Sequence, residues 1–205
     1  MFEKEFVIRT RVAEKGKKLG VQTGKLTFTG IKFEEKDKSK FRDLFKSWKA
    51  FKEAGEFVNQ RVIIPEGLTE GLVSKDIQDI YWYKSYDQKQ SMYPTTKFDC
   101  YSSIDNKIVE VKACSVKPDL TSWSPKPYFD VLYFVDFSSM DGKYDIYKID
   151  TSDKEILQET VTKGGETFQQ QISSKRRPRF SLFEKYIDQK YKCDGYPVFS
   201  GDLFS

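Results

Sequence analysis

The segment VLYFVDF at residues 131–137 restricts the fold of this chain more than any other. Its apolar residues do not alternate with polar ones, and Asp136 is its one charged side chain. Such a strand is buried on both faces, which predicts the centre of a sheet covered on two sides. Together with the helices predicted below, this strand indicates an α/β or α+β fold.

Two helices are predicted ahead of this strand. The first spans residues 39–60 with Ser39 as its N-cap, and its apolar residues follow helical spacing: Phe41, Leu44, Phe45, Trp48 and Phe51. The second begins after Pro65 and carries Glu66 and Glu70 four residues apart, on one face. Acidic residues in a first turn complement the helix dipole, and this is the purely structural explanation for the pair.

The remaining segments predict further strands and a final helix. Strands are expected at 97–101, 107–114 and 144–150, and a hairpin or a pair of irregular strands at 5–33. The polar segment 151–175 is expected to be loop with some strand, and the last helix begins near Ser181. Because no repeat or linker interrupts the 205 residues, a single domain is expected.

Positive charge is concentrated in two parts of the chain. Residues 1–50 contain 14 Lys or Arg against 7 Asp or Glu, although the whole chain has a net charge of only +4. A second basic run, SKRRPRF, spans residues 174–180. Basic patches suit a polyanion, and nucleic acid before a membrane because no apolar face accompanies the second run. Ordinary solvated surface is the alternative. No run of about 18 apolar residues occurs, so a soluble, cytoplasmic protein is expected.

The chain contains no histidine, which excludes His-based triads, His general bases and His-ligated zinc. Its three cysteines, at positions 100, 114 and 193, argue against a disulfide framework and make a Cys-only zinc site improbable. Any metal ligands must therefore be carboxylates. Oxygen ligands favour hard cations such as Mg²⁺, Mn²⁺ or Ca²⁺.

Three charged residues interrupt the strand pair within KFDCYSSIDNKIVEVKACS, residues 97–115. Glu110 and Lys112 are two apart on one strand and so share a face. A turn centred between Ile104 and Asp105 places Asp99 of the other strand opposite Glu110, and a turn one residue later places it opposite Lys112. Either register gathers the three side chains on one face, because directly opposed residues project together.

This cluster has a structural and a functional explanation. It could be a set of cross-strand salt bridges on an exposed face. However, the neighbouring apolar strand indicates that the sheet is buried there, and buried charges need partners or a metal. Two carboxylates can bind a divalent cation, and an amine can position a water and stabilise negative charge on a phosphate.

These residues resemble the PD-(D/E)xK nuclease superfamily, and within it the small type II restriction endonucleases. The matching elements are Asp99 in TKFDC and the Glu110, Val111 and Lys112 of IVEVKA, with PEGLTEG on the preceding helix and VKPDLTSWSPKPYFDVLYFVDF as the continuation. The likeness covers residues 62–150. One departure is that Phe98, rather than proline, precedes Asp99.

The resemblance implies a restriction-endonuclease-like core, which is a central mixed β-sheet flanked by helices. It also implies Mg²⁺-dependent hydrolysis of DNA, with Mn²⁺ as a substitute, giving 5′-phosphate and 3′-hydroxyl ends. It makes Asp99 and Glu110 metal ligands, assisted by the carbonyl of Val111. Lys112 would orient the attacking water or act in its deprotonation, and Glu70 would be an additional acid near the metal. Residues 1–61 then form a basic N-terminal region, 62–150 the catalytic core, and 151–205 the DNA-recognition and C-terminal region.

Contacts to duplex DNA are expected from two segments near this core. Arg can clamp phosphate or read guanine, and Gln can read adenine, which selects Lys175, Arg176, Arg177, Arg179, Gln169 and Gln171. Lys117, Ser122 and Trp123 follow the catalytic strand and could reach the DNA backbone or a groove. An exposed basic loop and an ordinary polar loop are the structural explanations for the first segment, and Trp123 could equally belong to the core.

The first functional hypothesis is a sequence-specific type II restriction endonuclease. It would act as a homodimer, since duplex cleavage takes two sites and palindromic targets mirror a two-fold axis. Its cognate DNA methyltransferase would be a genetic rather than a physical partner. The alternatives are a structure-selective or repair nuclease or nickase of the same superfamily, and a non-catalytic DNA-binding protein.

Overall fold

The structure of the protein is a computed structural model that describes residues 1–14, 22–89, 92–95 and 97–205. Its strands are β1 (Phe2–Glu14), β2 (Gln22–Lys32), β3 (Ile80–Tyr86), β4 (Met92–Pro94), β5 (Cys100–Ser102), β6 (Lys107–Cys114), β7 (Thr121–Ser122), β8 (Val131–Asp136), β9 (Lys143–Ile149), β10 (Arg179–Phe180) and β11 (Phe199–Asp202). Its α-helices are α1 (Lys38–Phe57), α2 (Glu66–Asp76), α3 (Asp153–Ile156) and α4 (Phe168–Ser173). A 3₁₀ turn (Glu35–Asp37) precedes α1, and a π-helical segment (Phe183–Asp188) precedes β11.

Nine strands form one mixed sheet, in the order β11-β9-β8-β6-β5-β3-β2-β1-β4. Within the described residues, β6 and β8 pair in parallel and the other neighbours are antiparallel. The strands β7 and β10 pair separately, as a two-stranded ribbon. The expected fold class, a mixed sheet flanked by helices, is therefore confirmed.

Two hydrophobic layers cover the two faces of the sheet. On one face, α1 and α2 pack with Phe45 and Leu72 against Val109 and other residues of the central strands. On the other face, a layer that includes Trp123 packs against Phe134 and the N-terminal hairpin. Every residue of β8 is buried because its alternate side chains enter the two layers, which confirms that it is a central strand.

The N-terminal hairpin is longer and more regular than the sequence indicated. In β1, Phe6, Ile8 and Val12 are buried and alternate with exposed residues, and Phe6 and Ile8 oppose the buried Phe28 and Leu26 of β2 on the same face. This alternation is the expected pattern of strands with one buried face. Residues 15–21, within the predicted 5–33 hairpin, lie outside the described residues.

The two predicted helices are present, with adjusted boundaries. Helix α1 ends at Phe57, and its N-cap is Asp37 rather than Ser39 because a 3₁₀ turn with its own capping box leads into it. Helix α2 follows Pro65 as predicted. Its Gly71 lies against Phe41 of α1, where a Cβ atom would be only 2.5 Å from the ring, so glycine permits the close approach of the two helices.

The C-terminal third contains more helix than was predicted. The segment 151–175 includes α3 and α4, each short and each begun by a capping box, Ser152 with Glu155 and Thr167 with Gln170. These are recognisable S/T-x-x-E/Q signatures, but no apolar repeat long enough to indicate a helix follows them. The predicted last helix is the π-helical segment Phe183–Asp188. In the part of the chain that the structure describes, no helix is long and apolar enough to span a membrane.

Candidate active site

The β5–β6 hairpin has one of the two registers considered from the sequence. Cys100 pairs with Val109 and Tyr101 with Ile108, and this register places Asp99, which directly precedes β5, opposite Glu110. Asn106 adopts a left-handed backbone conformation with φ of 55° in the turn, where Asn is among the residues that tolerate it. The turn is short and the ladder regular, so Asp99, Glu110 and Lys112 lie on one face as predicted.

Asp99 lies where the sheet forks. The strand β6 extends beyond β5, and its residues after Val109 have no strand partner on that edge in the described part of the chain. Asp99 fills the gap on both sides: its backbone carbonyl accepts a hydrogen bond from the N–H of Tyr83, at 3.0 Å, and its carboxylate accepts one from the N–H of Val111, at 2.8 Å. Backbone hydrogen bonding thus fixes the position of this carboxylate.

Glu110 and Lys112 form an ion pair within the same site. Their side chains are 17% and 20% exposed, so the pair is shielded from solvent but still reachable. The Lys112 Nζ also lies 5.3 Å from the centroid of the Trp123 ring, a cation–π contact that holds the ammonium from a second direction. The lysine therefore has a defined position beside the two acids.

The acids of this site repel one another. Burial, together with the neighbouring carboxylates of Glu110 and Glu70, raises the pKa of Asp99 to about 8, against the opposing effects of Lys112 and of the Val111 N–H. Burial lowers the pKa of Lys112, but Glu110 and Asp99 outweigh that effect, so its pKa is raised overall. Lys112 is thus a cation at neutral pH, whereas the same surroundings disfavour the charged form of Asp99.

Glu70 of α2 approaches the same site from the helical layer. It is 5% exposed, and its carboxylate accepts a hydrogen bond from Trp82 Nε1 at 2.6 Å. Burial raises its pKa, and Glu66 and Glu110 contribute in the same direction. Glu70 is therefore within electrostatic reach of the hairpin acids, and among the described residues Trp82 is the side chain that donates a hydrogen bond to its carboxylate.

A divalent cation fits this donor set chemically. A bound cation would relieve the mutual repulsion between these half-buried carboxylates. Among the described residues, no three Asp, Glu or Cys side chains form a ready-made ligand cluster. The available set is therefore two carboxylates, Asp99 and Glu110, with a backbone oxygen from the unpaired edge of β6.

The β7–β10 ribbon connects this site to the basic run. Ser122 pairs with Arg179, the N–H of Trp123 donates to the Pro178 carbonyl at 3.2 Å, and Arg177 Nε donates to the Trp123 carbonyl at 3.0 Å. Since the Trp123 ring also contacts Lys112, a single residue bridges the ribbon and Lys112 of the hairpin.

Asp119, a residue that the sequence did not single out, holds this ribbon together. Its carboxylate is buried and accepts four hydrogen bonds of 2.6–3.0 Å, from the hydroxyls of Thr121 and Ser181 and the backbone N–H groups of Leu182 and Phe183. It thus joins the segment after β6 to the segment after β10. A lone Asp in a Pro-containing loop carries no local signal of such a role.

Comparisons with known proteins are consistent with this geometry. The family model described as Bsp6I restriction endonuclease matches residues 33–189, which is more than half of the chain. The chain belongs to the Bsp6I restriction endonuclease family. It is 29% identical over 159 residues to the type II restriction enzyme Bsp6I of Bacillus sp. (strain RFL6), covering 74% of this chain and 83% of that protein. No solved structure matches the chain.

Membership of the Bsp6I family confirms the expected class of enzyme, a restriction endonuclease. The matched segment contains the whole β5–β6 hairpin, helix α2 and the β7–β10 ribbon. It excludes the N-terminal hairpin β1–β2, which ends at Lys32. The catalytic and metal-binding roles given to individual residues of this Bsp6I-family chain remain predictions.

Two residues predicted to contact DNA lie in the interior. Trp123 is fully buried, stacked on Phe129 and Phe180, so the alternative reading as a core residue is the one that the structure supports. Its indole covers Lys112 instead of facing solvent. Gln171 is 8% exposed because α4 turns it inward, whereas Gln169 faces solvent. Strand and loop signals alone do not reveal these orientations.

The other predicted contacts lie at or near the surface. Arg177, Arg179 and Lys175 are exposed, and Lys175 adopts a left-handed conformation with φ of 58° after α4. Arg176 is exposed but forms an ion pair with Glu166. These four residues keep the exposure that a DNA contact requires.

Lys117 already has interaction partners within the protein, and the hydroxyl oxygen of Ser122 is buried. Lys117 forms an ion pair with Asp136 at 2.6 Å, and its Nζ lies 3.6 Å from the centroid of the Phe183 ring. The buried Ser122 Oγ has no hydrogen-bond partner in the described part of the chain, although the residue is partly exposed. Lys117 is therefore held at the end of β8 by its ion pair, with part of its side chain still exposed.

Proposed function

We propose that this chain is a type II restriction endonuclease of the PD-(D/E)xK superfamily that hydrolyses duplex DNA at a specific sequence in a Mg²⁺-dependent reaction. The observation that carries the proposal is the meeting of Asp99, Glu110 and Lys112 at the fork of the sheet. Family membership supplies the class of enzyme. The products would be 5′-phosphate and 3′-hydroxyl ends, and the enzyme would work in the cytoplasm on incoming DNA.

Asp99 and Glu110 would hold the cation, together with the carbonyl of Val111. The N–H of Val111 points to the unpaired edge of β6, where the Asp99 carboxylate accepts its hydrogen bond. Because the N–H and carbonyl of a strand residue point to the same side, the Val111 carbonyl faces that edge too. Bound Mg²⁺ would supply Lewis acidity and charge neutralisation at the phosphate. Glu70 would contribute a further acid on the helical side, and its hydrogen bond from Trp82 would keep it oriented.

Lys112 would orient the attacking water and stabilise the developing negative charge. Its raised pKa favours this electrostatic role over that of a general base, since a base must be neutral to accept a proton. The contact with the Trp123 ring would keep the ammonium aimed at the site when Glu110 is engaged elsewhere. The contacts of Lys112 with Glu110 and with Trp123 are both made within a single chain.

DNA recognition would come from the ribbon and the adjoining segment 169–179. Arg177 and Arg179 are exposed on the ribbon that contacts the catalytic lysine through Trp123, so bound DNA would lie close to the site. Cleavage of both strands would require two chains, which favours a homodimer with a two-fold axis. A cognate DNA methyltransferase would protect the host.

The test is digestion of a sequenced phage genome with the wild-type protein and Mg²⁺, with every cut end mapped. Discrete bands that share one sequence at their ends are the expected result. A smear, nicks alone, or cleavage confined to branched substrates would instead indicate a repair nuclease or a nickase.

A matched pair of lysine variants separates chemistry from binding. Lys112→Ala should lose Mg²⁺-dependent cleavage and still bind the mapped duplex in Ca²⁺. Lys107→Ala, on the same strand but opposite Ser102, should cut like the wild type. A wild-type protein that binds duplex DNA and never cuts would make the chain a non-catalytic DNA-binding protein.

A further inference from the structure

The N-terminal hairpin presents an exposed basic face that no role assigned above uses. In β1, the odd-numbered residues from Glu3 to Arg11 point away from the core, and in the ladder Arg9 lies directly opposite Lys25 of β2. Directly opposed residues project on the same side of a sheet, so the two cations are neighbours on the outer face. Both side chains are exposed.

This arrangement is unfavourable for an isolated hairpin. Like charges directly opposite one another destabilise a strand pair. Neither Arg9 nor Lys25 forms an ion pair with any residue that the structure describes. The next acid along this face of β1 is Glu5, four residues or about 13 Å away. A polyanion would supply the negative charge that Arg9 and Lys25 do not find among the described residues.

The hairpin is anchored firmly beside the catalytic strand. Phe6 and Phe28 stack with ring centroids 5.4 Å apart, and Phe28 contacts Phe98, the residue before Asp99, at 5.3 Å. Lys25 lies three residues from Phe28 along β2, about 10 Å on an extended strand, and its side chain leaves the sheet on the opposite face from the Phe28 ring. The hairpin therefore holds the two cations beyond the ring that contacts Phe98, on the outer face of the sheet.

The distal end of β1 is fixed as well. Arg11 lies over the Tyr128 ring, 4.5 Å from its centroid, and its guanidinium lies 3.5 Å from the Asp153 carboxylate. Thr10 shares a hydrogen bond of 2.5 Å with the Tyr128 hydroxyl. Contacts thus fix both the middle of the hairpin and this end of β1. Arg9 and Lys25 therefore lie on a rigid backbone, which limits the entropy lost on binding.

We propose that Arg9 and Lys25 form a phosphate-binding surface for the duplex that flanks the cleaved bond. This inference rests on the proposed function, and it assigns to a segment outside the family-matched residues 33–189 the task of extending the DNA footprint. The contact is to the sugar-phosphate backbone, because two cations on a flat ribbon face neutralise charge without reading bases.

The test compares the Arg9→Gln/Lys25→Gln double variant with the wild type in binding a duplex that carries the mapped site, with Ca²⁺ in place of Mg²⁺. Each lost phosphate contact lowers the steepness of the salt dependence, so the slope of log K against log salt should fall by about 2 for each protomer on the duplex, or about 4 for the proposed homodimer. The control is Lys107→Gln/Lys148→Gln, which removes the same charge from β6 and β9 and should leave the slope within about 0.5 of the wild type.

A melting curve separates this role from a structural one. Because the double variant removes a like-charge pair, its melting temperature should equal or slightly exceed that of the wild type while DNA binding weakens. An unchanged slope, or a slope that falls equally in the control, would overturn the inference and leave the proposed function intact. A wild-type protein that binds no duplex DNA would overturn the proposed function itself.

Discussion

The β5–β6 hairpin and the β7–β10 ribbon lie side by side, but they are built in different ways. The hairpin places Asp99, Glu110 and Lys112 within fourteen residues of chain by a backbone ladder. The ribbon joins residues 121–122 to residues 179–180, and it depends on one buried carboxylate, Asp119, and one buried ring, Trp123. The first is local in sequence, and the second exists only after the chain has folded.

This difference predicts two kinds of mutational failure. In the hairpin, the backbone ladder pairs the strands, so Glu110 and Lys112 can be replaced with the fold intact, as can Asp99 by a residue that still accepts the Val111 N–H. In the ribbon, Asp119 and Trp123 are structural supports, so a change there should disturb geometry and stability together. Variants of the two regions can therefore be told apart by measuring cleavage and melting temperature on the same protein.

The largest effect is expected from Asp99→Asn. The amide oxygen can still accept the Val111 N–H, but a neutral ligand binds a divalent cation poorly, and cleavage should fall by about 10³-fold or more. Because burial and neighbouring acids raise the pKa of Asp99, the charged side chain costs stability. In EDTA at pH 8, the variant should melt at or above the wild-type temperature. Lower stability with normal cleavage would remove Asp99 from the catalytic set.

The hairpin could be predicted from sequence because both of its determinants are local. A two-residue period places Glu110 and Lys112 on one face, and a short turn leaves Asp99 only two registers, which are equivalent in this respect. The same reasoning identified β8 as central from its unbroken apolar run. Glu70 required the resemblance to a known family, since acidic residues near the start of a helix are ordinary.

A second, smaller loss of cleavage is expected from Asp119→Asn. The amide replaces one acceptor oxygen with a donor that faces N–H and O–H groups, so the ribbon should loosen at a cost of about 2–4 kcal/mol. Displacement of Trp123 and Lys112 by an ångström would reduce cleavage by about 10- to 100-fold. Melting temperature and kcat/KM, measured well below the transition, are the readouts.

The control for Asp119→Asn is Tyr144→Phe. It removes a buried hydrogen bond of 2.6 Å to Asp76, away from the ribbon. This variant should lose stability and keep its cleavage rate. Equal loss of cleavage in both variants would mean that Asp119 acts only through general stability.

The ribbon could not be predicted because its interactions are set by tertiary structure. Asp119 meets the N–H groups of Leu182 and Phe183 across more than sixty residues of sequence. Trp123 follows β6 in sequence, where exposure to DNA was expected, but three aromatic neighbours bury it. The inward turn of Gln171 has the same origin, since only a packed α4 gives that residue a buried side.

An intermediate effect on DNA affinity is expected from Arg179→Gln. Arg179 lies exposed on the ribbon without an ion-pair partner among the described residues, so its whole charge is available to DNA. Affinity in Ca²⁺ should fall about 10- to 100-fold if it reads a base, with relaxed preference at one position of the site. A uniform loss across sequences, with a salt slope lower by about 1, would instead make it a phosphate contact. Unchanged affinity would separate the ribbon from the DNA.

The smallest effect is expected at Arg176, which is exposed but already paired with Glu166. Arg176→Gln should weaken duplex binding by only about two- to threefold, because an exposed ion pair is weak and the free arginine loses little by exchanging partners. Glu166→Gln should act in the opposite direction: it frees the guanidinium and removes a negative charge near the DNA, so binding should tighten by a similar factor. Titrations in Ca²⁺ at low and high salt would measure both. If Glu166→Gln weakened binding instead, the ion pair with Glu166 would be what positions Arg176 for DNA, much as Asp119 positions the ribbon. The paired Arg176 and the unpaired Arg179 would then not differ in the predicted way.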